Sequence, residues 1–245
     1  MRHAEPVMGT VFSFDVRHGE QARPAVASAV ALLHRIDAVF STYRPDSAIS
    51  RLDRGEITLR DCPPEVTEVL DLCARVESAT DGYFSVVPSH HLDPSALVKG
   101  WAVDRACDLL RNAGCVRHCV NGGGDVRLGE PPEPGRPWRI GIAHPLRRGE
   151  LLCVVEGTEL AVATSGTAER GDHILDPHTG LPARGLAAIT LLGADLTTVD
   201  AYATAAFAMG AGAHAWAERT GGIEALAVTD TGTTWRTSGF AHHLR

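Results

Sequence analysis

The chain has 245 residues, 44% of them hydrophobic and 22% charged, a balance that excludes a disordered protein. Its 30 acidic residues outnumber 23 basic ones, for a net charge of −7 with no basic block, which excludes a general nucleic-acid binder. No apolar run nears the roughly 18 residues of a transmembrane helix, and the opening Met1-Arg-His-Ala-Glu-Pro6 lacks an apolar export core, so a cytoplasmic protein without a membrane anchor is expected.

Residues 11–16 place Phe12, Phe14 and Val16 on one face and predict a strand. A helix is expected from Pro24, with Val26, Val30, Leu33 and Phe40 at helical spacing. Tyr43-Arg-Pro-Asp46-Ser47 reads as a turn, followed by a short helical turn through Ile49 and Leu52 that stops at Gly55. Pro63-Pro64 opens an amphipathic helix carrying Val66, Leu70, Cys73 and Val76, and another is expected over 101–113, ending at Gly114. In the second half, alternation at Trp138, Ile140 and Ile142 predicts a strand, as do 151–155, 159–163, 188–192 and 225–229. Helices are expected over 199–209 and 213–219. The breaker-rich Pro131-Pro-Glu-Pro-Gly135 is read as joining two strands of one unit. Helices first and strands later, without regular βαβ alternation, argue for a single α+β domain over 1–245.

All but one of the 23 basic residues are Arg, and the exception is Lys99. A lysine in such a chain is a candidate for a place where a compact, flexible charge is required. The six cysteines form no C-x-x-C pair, and the default for each is a small buried apolar residue. Cys115-Val-Arg-His118-Cys119 lacks the second ligand pair of a zinc site.

Four segments combine chemistry-bearing residues. In Asp93-Pro-Ser-Ala96-Leu-Val-Lys99-Gly100 the lysine is expected just before a helix start, where phosphate binds well, and the alternative is a surface loop with a capping aspartate. In Asn121-Gly122-Gly123-Gly124-Asp125 the glycines allow close backbone approach to a phosphate, or form a plain hairpin turn. Thr164-Ser165-Gly166-Thr-Ala-Glu169-Arg170, followed by His173-Ile174-Leu-Asp176-Pro-His-Thr179-Gly180, is rich in groups for proton transfer and phosphate contact, although the second half reads equally as a turn. In Thr197-Thr-Val-Asp200-Ala-Tyr-Ala203-Thr204 a carboxylate and a hydroxyl four residues apart share a helical face. That pairing suits a hard cation, while Asp200 near a helix start, with Thr197 or Thr198 as cap, is the plainer reading.

Taken together and in this order, with Met8-Gly9-Thr10 and Ile36-Asp-Ala-Val-Phe40-Ser41-Thr-Tyr43-Arg-Pro-Asp46-Ser47, these segments resemble the FAD:protein FMN transferases, the ApbE-like family, over nearly the whole chain. The resemblance implies a T-fold-like α+β domain with a mixed, mostly antiparallel sheet and packed helices. It implies Mg²⁺-dependent transfer of FMN from FAD to a Thr or Ser hydroxyl of an acceptor flavoprotein, with release of AMP. FAD pyrophosphatase activity and plain flavin binding are the alternatives. By position, Met8, Asp93, Lys99, Gly123, Gly124, Asp125, Thr164, Ser165, Gly166, His173 and Ile174 match FAD contacts. Ala96 through its carbonyl, Asp200, Thr204 and Ala203 match the metal site, and His173 with Asp200 the catalytic pair. The stretch between Phe84 and Asp93 is shorter than in many members, and Ala48 stands where an acidic residue is common.

Overall fold

The computed structural model describes residues 1–87, 91–168 and 171–245. Arg2–Val7 (β1) and Thr10–Val16 (β2) form an opening hairpin. Its two-residue turn, Met8-Gly9, has φ of 54° and 70°, the positive pair that matches strand twist in a tight hairpin. β1 has no apolar alternation to announce it, and it contains Pro6, which an edge strand tolerates.

Four helices follow: Arg23–Phe40 (α1), Ala48–Asp53 (α2), Pro64–Ala79 (α3) and Ser95–Asn112 (α4). α1 buries Val26, Ala29, Leu33, Ile36 and Phe40, one stripe at three- and four-residue spacing. Ser47 caps α2 by accepting the Ser50 N–H at 3.0 Å. The helix expected from Trp101 begins at Ser95, so Ala96 and Lys99 lie inside it and not in a loop before it. Gly100, a poor helix former, hides that start in the sequence.

His118–Gly122 (β3) and Asp125–Leu128 (β4) form a second tight hairpin, with Gly123 and Gly124 at φ of 63° and 105°. Trp138–Ala143 (β5) and Leu151–Gly157 (β6) pair with each other as a separate two-stranded sheet, which Leu244 joins by an isolated bridge to Val155. Ala161–Gly166 (β7), Leu186–Gly193 (β8), Leu196–Met209 (α5), Ala213–Arg219 (α6), Ile223–Thr229 (β9) and Thr234–Arg236 (β10) complete the chain. β7 starts later than the expected 159–163 because Glu159 turns the chain at φ 51°.

Among the described residues, eight strands form one antiparallel sheet in the order β1-β2-β3-β4-β7-β8-β9-β10. It is a meander with three excursions, the helices α1–α4, the β5–β6 hairpin, and α5–α6. Alternation along the strands divides the core. Phe12, Phe14, Val120, Ala163, Ile189 and Ala227 face the helices. Val126, Leu128, Val162 and Leu192 face Trp138, Ile142 and Val155 of the hairpin. The loop around Pro131–Gly135 thus joins strands of two sheets whose apolar faces pack together. No helix among the described residues is long and apolar enough to cross a membrane.

α4 and α5 cross closely at Gly100. A Cβ there would collide with the Leu196 carbonyl oxygen and lie 3.0 Å from Asp200 Cβ. Asp104 of α4 accepts the N–H groups of Leu196 (3.1 Å) and Thr197 (2.7 Å) and the Thr197 hydroxyl (2.6 Å). It therefore satisfies the first free donors of α5 from a neighbouring helix. Asp195 is the N-cap, accepting the Thr198 N–H at 2.8 Å, and not Thr197 or Thr198 as the local reading has it.

Candidate active site

Asp125 follows the Gly123-Gly124 turn, and strand alternation turns its side chain to the helix layer, where it is 4% exposed. Its Oδ1 accepts the Thr164 N–H at 2.8 Å and its Oδ2 accepts Lys99 Nζ. Lys99 Nζ also donates to Asp200 Oδ2 at 2.7 Å. The same Asp200 oxygen accepts the Gly100 N–H at 3.1 Å, the amide whose ordinary helical acceptor is the Ala96 carbonyl. Asp200 Oδ1 receives no hydrogen bond among the described residues.

One turn along α5, the Thr204 hydroxyl donates to the Asp200 carbonyl at 3.3 Å and stands 3.5 Å from Ser165 Oγ. Both are weak contacts, so the two hydroxyls remain available to another partner. Ser165 faces the helices from β7. Thr164, one residue earlier, points to the opposite face and pairs with Thr190 Oγ1 at 2.8 Å. It brings its N–H to the site but not its hydroxyl. Gly166 lets β7 lie close to β8, since a Cβ there would be 2.7 Å from the Ala187 carbonyl oxygen. Ala203 is fully buried.

Two carboxylates share one ammonium here. Burial pushes the Asp200 carboxyl up to about 7, with Lys99 opposing and Asp125 reinforcing the rise. Burial would lower the Lys99 ammonium, but Asp125 and Asp200 outweigh it and hold it above its ordinary value.

The glycine turn is braced from the side. A Cβ on Gly123 would fall 2.7 Å from Thr10 Oγ1, so the β3–β4 turn nestles against the end of the Met8-Gly9 hairpin. Gly124 donates its N–H to Asn121 Oδ1 at 2.9 Å. Asp93 accepts the Ser95 N–H at 3.0 Å ahead of α4, the capping role of the plainer reading. His173 is exposed on the loop after β7, where its Nδ1 lies 3.0 Å from the Gly171 carbonyl oxygen. Ile174 is partly buried against the helix-side core. Asp176 closes a turn by accepting the His178 N–H at 2.9 Å and the Thr179 hydroxyl at 3.2 Å.

The structure therefore brings together Lys99, Asp125, Thr164, Ser165, Asp200 and Thr204. Met8, Asp93, His173 and Ile174 make no hydrogen bond to that group among the described residues, and Glu169 and Arg170 lie outside the described residues. Gly100 and Asp104 were invisible as site residues, because their partners lie about a hundred positions away. Asp195 had a local signal, an aspartate three residues before the threonine N–H it accepts. Cys115 and Cys119 pack on opposite faces of the sheet, and His118 Nδ1 donates to the Cys115 carbonyl at 2.7 Å, so this trio holds no metal.

The ApbE family model matches residues 8–90 and 85–227. A FAD:protein FMN transferase of Vibrio cholerae is 34% identical over 134 residues, 51% of this chain and 40% of the relative. One from Rhodobacter capsulatus is 31% identical over 227 residues, 87% of this chain and again 40% of the relative. The matched region thus spans about two fifths of these curated relatives. Among solved structures, the flavin transferase ApbE from Vibrio cholerae superposes with a TM-score of 0.86 at 24% identity, covering 100% of this chain and 99% of that one. The ApbE protein from Thermotoga maritima does so with 0.88 at 23%, with the same coverage of both chains. With the family model spanning most of the chain and the same α+β fold in both neighbours, the protein belongs to the ApbE family.

Proposed function

We propose that this chain transfers FMN from FAD to a Thr or Ser hydroxyl of an acceptor protein and releases AMP. The observation that carries the reading is the buried Lys99–Asp125–Asp200 group, flanked by the Ser165 and Thr204 hydroxyls and by the Gly123-Gly124 turn. FAD's diphosphate is anionic and the protein is acidic overall, so binding needs local positive charge. Lys99 supplies part of it.

A hard divalent cation, Mg²⁺, supplies the rest. The donor set fits it, since Asp200 Oδ1 and Thr204 Oγ1 are oxygen atoms with spare capacity one turn apart on α5. The carbonyls of Ala96 and Ala203 are further oxygen donors from the same two helices. When bound, Mg²⁺ neutralises charge on the diphosphate and on the departing AMP oxygen.

The chain's own groups then orient the reaction. Lys99 and the close backbone approach that the side-chain-free Gly123-Gly124 turn allows position the phosphates, so that the acceptor oxygen and the AMP oxygen lie in line through the FMN phosphorus. The acceptor O–P bond forms as the P–O bond to AMP breaks, and the bridging oxygen leaves with AMP. The hydroxyl proton goes to His173. Its Nδ1–H donates to the Gly171 carbonyl, which can only accept, so Nε2 carries the open lone pair.

The test is to mix the protein with FAD, Mg²⁺ and a flavoprotein acceptor, denature, and look for flavin fluorescence on the acceptor band. Labelling that disappears when the acceptor Thr is changed to Val supports transfer. AMP accumulating equally fast without acceptor, with no labelled band, would instead mark a pyrophosphatase.

A further inference from the structure

The single lysine of the chain occupies the space between two buried carboxylates where a cation is wanted. It reaches Asp125 and Asp200 from positions 26 and 101 residues away in sequence. Each carboxylate is also anchored without it, Asp125 by the Thr164 N–H and Asp200 by the Gly100 N–H. The ammonium, on a flexible four-carbon stem and with its side chain 22% exposed, is the member free to move. Two carboxylates and one ammonium leave the group at most a single net negative charge. Hard divalent cations give up water reluctantly and favour sites rich in anionic oxygens. One net negative charge is a poor match for that cost. A diphosphate changes the balance twice, by adding anionic oxygens and by competing with Asp200 for the ammonium.

We infer that Lys99 is a resident counter-charge that blocks divalent cation uptake until the nucleotide arrives, so that nucleotide and cation enter together. This rests on the reading of Asp200 and Thr204 as cation ligands. Lys99 acts as a positioning residue, exchanging an Asp200 oxygen for a phosphate oxygen. Under this scheme the site is protected from idle loading by free cations, and cation affinity is a property of the nucleotide complex.

Two measurements that need no turnover decide it. Protein labelled with ¹⁵N-lysine gives one side-chain NMR signal, because Lys99 is the only lysine. Mg²⁺ alone should leave that signal in place, and FAD with Mg²⁺ should move it. In parallel, Mn²⁺ binding is followed by loss of the free-ion EPR signal without nucleotide. Lys99→Met should bind Mn²⁺ roughly tenfold or more tighter than the parent, since a neighbouring positive charge has been removed. A lysine that acted only as a phosphate ligand would weaken FAD binding on replacement and leave Mn²⁺ affinity unchanged. Equal Mn²⁺ affinity in the two proteins, or a lysine signal that Mg²⁺ alone moves as far as Mg²⁺ with FAD, overturns the inference and leaves the ligand assignment standing. Mn²⁺ binding to Lys99→Met that is undiminished by adding Asp200→Asn removes the ligand assignment itself, and the inference with it. Should Lys99→Met fail to fold, the lysine signal of the unaltered protein decides alone.

Discussion

Asp200 is buried, and one of its oxygens accepts two donors while the other accepts none among the described residues. Asp200→Asn keeps the shape and an accepting oxygen while Lys99 retains Asp125. We expect the thermal midpoint to stay within a few degrees, because the charge removed was itself unfavourable to bury. Mg²⁺-dependent turnover should nonetheless fall on the order of a hundredfold or more. A variant that retains parental Mg²⁺ dependence would contradict the assignment. His173 makes the opposite case, since it is exposed and, among the described residues, is tied only to a carbonyl two residues away. His173→Ala should leave FAD affinity and folding unchanged and slow transfer by roughly 10²–10⁴-fold, the range for losing a general base. If single-turnover FMN transfer is unaffected, the proton goes elsewhere.

The crossing of α4 and α5 sets where those residues stand. Gly100→Ala should help an isolated helix by about 1 kcal/mol. Here the new methyl meets the Leu196 carbonyl and Asp200 Cβ, so a net loss of roughly 1–3 kcal/mol in denaturant unfolding is expected. Equal or greater stability would show that the helices can separate at little cost. Asp104 joins the same two elements by hydrogen bonds. Burial pushes its carboxyl above the usual range, against the Thr197 and Leu196 donors and the Arg127 charge. Asp104→Ala leaves the first N–H groups of α5 and the half-buried Arg127 without that acceptor. A loss of roughly 2–4 kcal/mol is expected, together with weaker Mn²⁺ binding at Asp200, because the start of α5 is no longer tied to α4. Unchanged cation binding in a folded Asp104→Ala protein would mean that α5 is held by its apolar face alone.

At the scale of the whole molecule, His118 is the group that makes acid destabilising. Its ring is fully buried in β3, Nδ1 donates to the Cys115 carbonyl, and Nε2 has no partner among the described residues. Burial, more than any neighbouring charge, lowers its pKa below the ordinary 6.5. The folded protein therefore refuses a proton that the unfolded chain accepts, so stability is full above 6.5 and declines as pH falls below it. Asp200, whose carboxyl burial pushes up to about 7, contributes in the opposite sense over the same window, so the His118 share is read as a difference. From pH 7.5 to 5.5 the thermal midpoint should shift more unfavourably in the parent than in His118→Phe, and identical slopes would exclude His118. The segments themselves were legible without a structure, because helical and strand periodicities, prolines at helix starts and glycines at turns act over a few residues. So α1, α3, β2 and the late strands fell close to their expected places, and the ApbE-like segments could be recognised in order. Less was legible where a neighbour overrides the local pattern: β1 is a strand because β2 pairs with it, α4 runs back through Gly100 to Ser95, and β5–β6 form a separate sheet. The pairing of Lys99 with Asp125 and Asp200 was legible least of all. It depends on how α4 sits against β4 and α5, over separations of 26 and 101 residues, and no periodicity within a segment encodes the register between segments.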